Sequence, residues 1–467
     1  MNQTSFLTIA LVLSAASLAR AVDFGFFGRS GDAIEINLAG LPGVSPGSSF
    51  AALDLSGFAG HTVLTSDQLT SQSFVDSGRF WVFPNPARNT PALGDANSRA
   101  PGFQGVLSGS LAINGEPRSF SVTVQPGFTG AGAGAVQQSS ERQGRAANTP
   151  LFVAQQQQRL RFLGFVSEGG APLVVDGDFG PATNSALRTF QGAIIGGVNT
   201  TQANADGIVG PNTAAWLNAM NAPEFREIVP TSAYTVSAAT ERFATSWTLD
   251  LIAKGSVKAK AATGITQRIT ALSTADGYGS AAIHQTHRVG TDIDLATHGS
   301  THNWGDGTMS ADEQAVIQHA VGFIDAGASG YVSRIITSNQ DIFDGIRAAR
   351  PSVPLYYDTS GGHRNHLHFD VGTPARVAGQ ANLAGDFNLD NVVNGHDLTV
   401  WNQYAGSMFT GSDFLTWQRA FGDSQSLPGG SAALHAVPEP SAALLSGLGA
   451  TLLAARRRRA HPHGLLQ

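Results

Sequence analysis

The sequence predicts a multidomain protein that opens with an all-β domain and continues through helical units, rather than one compact fold. Three observations carry this. The length of 467 residues corresponds to about three domains at roughly 150 residues each, or more if some are small. Short alternating apolar stretches broken by Gly and Pro fill the N-terminal part, and a turn-to-helix pattern then recurs. Charged residues make up only 13% of the chain and glycines number 55, which indicates loop-rich modules. The hydrophobic share of 42% is enough for ordinary cores. With no cysteine, disulfide frameworks, thiolate metal sites and cysteine nucleophiles are excluded, so any metal must rest on histidine and carboxylate. The net charge of −6 becomes more negative without the terminal arginines and argues against nucleic acid as the main partner.

Residues 1–21 read as an export signal: Phe6 to Leu18 is apolar, and Ala19-Arg20-Ala21 has the small residues that a signal peptidase recognises. Residues 22–125 form the expected all-β domain, with strands near Ala33–Leu38 and Ser119–Val124; no constellation there suggests chemistry. Residues 126–150, rich in Gly, Ala, Gln and Ser, read as a flexible linker.

A repeat follows. Asp176-Gly-Asp-Phe-Gly-Pro-Ala-Thr183 recurs as Asp206-Gly-Ile-Val-Gly-Pro-Asn-Thr213. Each Gly-Pro suits a tight turn that opens a helix with Pro at its first position. With a leading helix from about Gln155 to Gly164, residues 151–222 resemble the type 1 peptidoglycan-binding domain. The resemblance implies a three-helix module with peptidoglycan as partner.

Residues 223–378 contain the clusters His284-Gln-Thr-His287-Arg-Val-Gly290-Thr-Asp292-Ile-Asp294 and His363-Arg-Asn-His366-Leu-His368-Phe-Asp370. His366 and His368, two apart on a predicted strand, share a face, while Leu367 and Phe369 face the core. Gly290 permits a sharp turn that returns Asp294 towards His287. Two histidines and a carboxylate with an open fourth position form a catalytic zinc ligand set; Asp292 is the spare carboxylate and His298 a rival ligand. The paired motifs resemble the penicillin-insensitive murein endopeptidases among the zinc peptidases. The resemblance implies an α+β domain with a small antiparallel sheet, Zn2+ on His287, Asp294 and His368, His366 as general base, and His284 and His363 lining the substrate side. The implied activity is D,D-endopeptidase cleavage of peptidoglycan cross-links. A D-alanyl-D-alanine carboxypeptidase and a non-catalytic wall-binding surface protein are the alternatives.

In residues 382–424, Asp386, Asn388, Asp390, the Val392 carbonyl, Asn394 and Asp397 stand at positions 1, 3, 5, 7, 9 and 12 of a calcium-type loop, so Ca2+ is expected there. Asp397 with Trp401 and Asp413 with Trp417 repeat a four-residue spacing. The segment resembles a helical dockerin-type repeat with one complete loop, which brings in a cohesin as a candidate partner. After a linker at 425–436, residues 437–459 combine Val437-Pro-Glu-Pro-Ser441, an apolar run and four arginines. This resembles a PEP-CTERM sorting signal processed by an exosortase. The fourteen-residue run from Ala442 to Ala455 spans about 21 Å as a helix, short of the roughly 30 Å of a bilayer core, which fits a transient inner-membrane anchor. The expected location is the periplasm, the outer envelope or the extracellular space.

Overall fold

Alternation of apolar residues builds the first domain. Its strands are β1 (Phe24–Arg29), β2 (Ile34–Asn37), β3 (Phe50–Asp54), β4 (Thr62–Thr65), β5 (Arg79–Phe83), β6 (Gly105–Ile113) and β7 (Glu116–Gln125), with short helices α1 (Ser66–Leu69) and α2 (Phe74–Ser77) between β4 and β5. They form a four-stranded sheet of order β1-β7-β6-β3 and a three-stranded sheet of order β2-β5-β4. Phe24, Phe50, Leu107 and Phe120 from the first sheet and Ile34, Ile36, Phe80 and Val82 from the second meet in one core. Two sheets occupy the region where an all-β domain was expected, with α1 and α2 as short helical turns between β4 and β5.

The computed structural model describes residues 24–39, 41, 43–86, 102–128, 149–278, 286–297, 307–327, 331–377, 383–389, 392–405, 409 and 411–424. The chain divides into units Met1–Pro428 and Gly429–Gln467, and every described residue belongs to the first. The signal segment, most of the linker expected at 126–150, the linker at 425–436 and the sorting signal lie outside the described residues.

The helical module follows: α3 (Pro150–Leu163), α4 (Pro181–Ile195), a short 3-10 turn (Gln202–Asn204) and α5 (Pro211–Leu217). Thr149 caps α3, its side chain accepting from the Phe152 amide. Pro181 and Pro211 open their helices after Gly180 and Gly210 in extended conformation, because a proline at that position forfeits no intrahelical bond. The repeat is built around two buried glutamines. Gln157 Nε2 donates to Asp176 Oδ1, the Asp178 carbonyl and Thr183 Oγ1, and its Oε1 accepts from the amides of Asp176 and Gly177. Gln191 repeats this with Asp206, the Ile208 carbonyl, Thr213 and the Gly207 amide. The Asp and Thr of each copy therefore hold a turn against a helix.

The third region contains β8 (Phe225–Glu227), β9 (Tyr234–Val236), β10 (Phe243–Thr245), α6 (Ser246–Thr263), β11 (Gln267–Ala271), β12 (Asp292–Ala296), α7 (Ala311–Ile324), β13 (Val332–Thr337), α8 (Gln340–Ala349), β14 (Leu355–Tyr357) and β15 (His366–Val371). β8 and β10 pair apart from a six-stranded sheet of order β14-β13-β15-β12-β11-β9. The expected small antiparallel sheet is corrected here. The strands from β13 through β15 and β12 to β11 are antiparallel, but β14 and β9 extend the edges in parallel. These edge strands have three residues each and no alternation long enough to be read in the sequence. One face of the sheet, with Ile269, Ile293, Leu295, Ile335, Leu367 and Phe369, packs against Leu249 and Ile252 of α6, Val316 and Phe323 of α7 and Ile342 and Ile346 of α8. Burying each such side chain contributes about 1.5–3 kcal/mol. The opposite face carries the charged residues.

Two helices close the described chain, α9 (Gly395–Tyr404) and α10 (Gly411–Ala420). The ends of this repeat meet: the Val393 amide donates to the Asp423 carbonyl and the Gly422 amide to the Val393 carbonyl. Trp417 Nε1 donates to the Asn394 carbonyl.

Apolar clusters cross the expected domain boundaries. Phe128, Phe162, Phe165, Phe190 and Trp216 share a core with Phe225 and Trp247, and Leu64, Trp81 and Phe83 pack with Ala154 and Val175. Arg159, 3% exposed, binds the Gly31 carbonyl, Asp32 Oδ1 and the Leu217 carbonyl. A buried guanidinium of this kind is tolerated because its donors are paired.

Candidate metal centre

The centre forms where β12 and β15 lie side by side, with Asp294 opposite His368, Asp292 opposite Asp370 and Ala296 opposite His366. The two-residue period of a strand puts His366, His368 and Asp370 on one face while Leu367 and Phe369 enter the core. His287 arrives from a turn in which Val289 (φ +57°) and Gly290 (φ +74°) both adopt left-handed conformations. Only glycine fits at 290. A Cβ there would lie 2.8 Å from the Thr245 amide nitrogen and 2.9 Å from Ala244 Cα. The Gly290 carbonyl accepts from the Thr245 amide and Thr248 Oγ1, which pins the turn to the start of α6.

Three donor atoms converge. His287 Nε2 is 3.0 Å from Asp294 Oδ1 and 3.2 Å from His368 Nδ1, and His368 Nδ1 is 2.9 Å from Asp294 Oδ1. All three residues are 2% exposed. Zinc–ligand bonds of about 2.0–2.1 Å in tetrahedral geometry separate neighbouring ligand atoms by roughly 3.3 Å, close to the observed triangle. The tautomers fit as well. His287 Nδ1 donates to the Leu272 carbonyl at 2.9 Å, which leaves the Nε2 lone pair facing inward. His368 Nε2 points between Asp292 Oδ1 at 3.4 Å and Asp370 Oδ1 at 3.7 Å, which leaves Nδ1 facing inward. Two lone pairs and a carboxylate oxygen so close together need a proton or a cation between them, and carboxylates behind the histidines are the usual outer partners of such ligands.

Ionisation follows from this crowding. Burial pushes the His287 and His368 pKa values down, but the carboxylates outweigh it: Asp294 and then Asp292 for His287, Asp292, Asp294 and Asp370 for His368. Both end above the ordinary histidine value. Burial would raise Asp294, yet His287, His368 and His366 hold it well below the usual carboxylate range. Burial dominates at Asp292, which is pushed up to about 6 against the pull of His368. Asp370 is lowered despite burial, through His368 and Arg334, whose Nε donates to Asp370 Oδ2 at 2.6 Å.

The remaining histidines line the same side. His366 Nε2 lies 3.6 Å from Asp294 Oδ2, and its Nδ1 is 2.8 Å from Asn365 Oδ1. Burial, with help from the neighbouring histidines and against Asp294, pushes its pKa down to about 4, below the ordinary histidine value. His363 packs with ring centroids 4.9 Å from His366 and 5.7 Å from His368. Its Nδ1 is 2.8 Å from Asp358 Oδ2, and Asp358 also accepts from Ser338 Oγ and the Ser360 amide and hydroxyl. Asp358, Asp370 and Arg334 were not anticipated from the sequence. His284 and the rival ligand His298 lie outside the described residues.

The calcium-type loop is organised around Asp397, which is fully buried. Its Oδ1 accepts from the amides of Phe387 and Asn388, and its Oδ2 from the Asn394 amide. Asp397 thereby ties the start of the loop to the start of α9 through three backbone amides. Asn394 Oδ1 accepts from the His396 amide as the cap of α9. Asp386 is buried. Asp390 lies outside the described residues.

Comparison with known families identifies a peptidoglycan binding domain over residues 151–217. This type 1 domain covers the three helices α3 to α5 and the two Gln-centred turns, and it associates the chain with peptidoglycan and the cell wall. No curated protein matches the chain.

Proposed function

We propose that this protein is an exported zinc peptidase that hydrolyses the peptide cross-links of peptidoglycan as a D,D-endopeptidase. The observation that carries the reading is the triangle of His287 Nε2, Asp294 Oδ1 and His368 Nδ1, with all three edges at 2.9–3.2 Å and two further histidines beside it. A peptidoglycan binding domain in the same compact unit supports the choice of substrate. Zinc held by these residues would supply Lewis acidity toward a water and a scissile carbonyl.

The chain's own groups supply the proton transfers. His366 donates from Nδ1 to Asn365 Oδ1, so Nε2 is its basic nitrogen. With its pKa pushed down to about 4, the ring is a neutral acceptor throughout the neutral range; it takes a proton at Nε2 and returns it to the leaving amine. His363 donates from Nδ1 to Asp358. That carboxylate fixes the His363 ring beside His366 on the side of the centre where substrate would lie. Asp292 and Asp370 orient His368.

The test is to count bound zinc in purified protein and to incubate it with purified peptidoglycan, with and without chelator and beside His366→Ala. Conversion of cross-linked muropeptide dimers to monomers, abolished by chelator and by the substitution, is the expected result. Release of terminal D-alanine alone would reassign the activity to a carboxypeptidase. Wall binding with no zinc and no new fragments would overturn the enzymatic reading.

A further inference from the structure

The peptidoglycan binding domain touches the metal centre's own scaffold. The segment bearing His287 is gripped on both sides by that domain. On the near side, Asp276 Oδ2 accepts from the Gly169 amide at 2.9 Å, and the Gly277 carbonyl accepts from Gln202 Nε2. That same Gly277 carbonyl accepts the Val289 amide at 2.9 Å. On the far side, Val289 stands against α4 at Gly192. A Cβ on Gly192 would fall 2.5 Å from Val289 Cγ1. Val289 is fully buried with φ +57°, a conformation that a β-branched residue holds only when its surroundings impose it. It lies two residues from His287 in the chain. A third contact comes from the segment between the two repeats. Asn199 Oδ1 accepts from Arg334 Nη2 at 2.9 Å, and Arg334 holds Asp370, which lies behind His368.

We propose that α4 and the inter-repeat segment of the peptidoglycan binding domain position the metal ligands, with Gly192, Gln202 and Asn199 as positioning residues, so that the binding domain is part of the centre rather than only a tether. The inference rests on the zinc reading above. Gly192 leaves the room that Val289 needs to hold its left-handed turn, and so the reach of His287; Gln202 holds the Gly277 carbonyl that pairs with the Val289 amide. Asn199 fixes the Arg334–Asp370 pair that faces His368.

The test is a size exchange in the full chain. Gly192→Ala adds a methyl group where Val289 stands, in a helix interior where alanine is otherwise favoured over glycine. Zinc affinity is measured by competition with a chromophoric chelator, the visible spectrum of the cobalt-substituted protein is recorded, and sedimentation with peptidoglycan checks the binding domain. Gly192→Ala is expected to weaken zinc binding by about tenfold, in the range seen for supports of metal ligands, and to alter the cobalt spectrum while sedimentation is retained. Adding Val289→Ala, which removes the clashing methyl, is expected to restore zinc affinity to within about twofold of wild type. Gln202→Ala is expected to weaken zinc binding in the same direction. Wild-type protein that binds zinc while Gly192→Ala binds it equally well, or a double variant no better than the single one, would overturn the positioning role alone. Wild-type protein that binds no zinc would overturn the zinc reading and this inference with it.

Discussion

His363 Nδ1 and Asp358 Oδ2 stand 2.8 Å apart, in a loop where Asp358 also gathers Ser338 and Ser360. Burial alone would raise the Asp358 pKa, but the hydrogen bonds from Ser360, His363 and Ser338 hold it below the ordinary carboxylate value. The carboxylate is therefore ionised beside the ring at any pH at which the protein would work. Asp358→Asn is expected to lower kcat by about tenfold to a hundredfold, as for a substrate-side group shifted from its position. KM and zinc content should stay near wild type. A loss of zinc in this variant would assign Asp358 to the scaffold instead.

The protonation of the ligands sets a pH dependence for metal uptake. His287 and His368 have raised pKa values in the metal-free protein, so their contribution to folding is full below the ordinary histidine value of about 6.5. It is lost as pH rises through their folded values. Zinc needs the same nitrogens free of protons. The rise in Tm on adding zinc should therefore grow from pH 6 to pH 8, and zinc titrations in buffers of different ionisation enthalpy should register proton release. A zinc-induced shift that is flat across this range would contradict the ligand assignment.

In the binding domain, Gln191 is 4% exposed and exchanges four hydrogen bonds with the turn from Asp206 to Thr213. At about 1 kcal/mol net for each bond, with the Gly207 amide left unpaired, Gln191→Ala should cost about 2–4 kcal/mol. Gln191→Glu should be no milder, because it loses the donors and sets a carboxylate against Asp206. Urea unfolding of both variants reads this directly; a change below about 1 kcal/mol would mean that the turn holds without its glutamine.

Two substitutions separate the parts of the calcium-type loop. Asp397→Ala removes the acceptor of three amides and is expected to destabilise the repeat with or without calcium. Asp386→Asn is expected to reduce stability only in calcium-containing buffer. Thermal melts monitored by Trp401 and Trp417 fluorescence, with and without chelator, compare the two; calcium-independent behaviour of Asp386→Asn would remove Asp386 from the cation's ligands.

The parts of this centre legible in the sequence were those set by short-range geometry. His366 and His368 share a strand face, and Gly290 allows the turn behind His287, so each cluster could be read as a ligand-bearing segment from its spacing, while the resemblance implied which residues combine in one set. Asp358 and Arg334 could not. Arg334 meets Asp370 only because β13 pairs with β15 in a particular register, and no local pattern encodes that register. The full width of the sheet was hidden for a related reason: three-residue strands at its edges are held by their neighbours rather than by their own periodicity. The two clamp glutamines were visible as residues but not as a pair. Gln157 precedes its aspartate by 19 positions and Gln191 by 15, so aligning the repeats by their turns leaves them out of step.

The apolar clusters that run from Phe128 and Phe162 to Phe225 and Trp247 bear on how this chain could be cut and reused. Small wall-binding modules invite transplantation, because a self-contained unit can be joined to any cargo. Severing this one at residue 150 or 222 would leave Phe165 and Trp216 without Phe225 and Trp247, and Arg159 without Asp32. A graft of residues 151–222 alone would carry an open apolar face into its new host. A fusion that keeps the surrounding residues would carry the metal centre along with it.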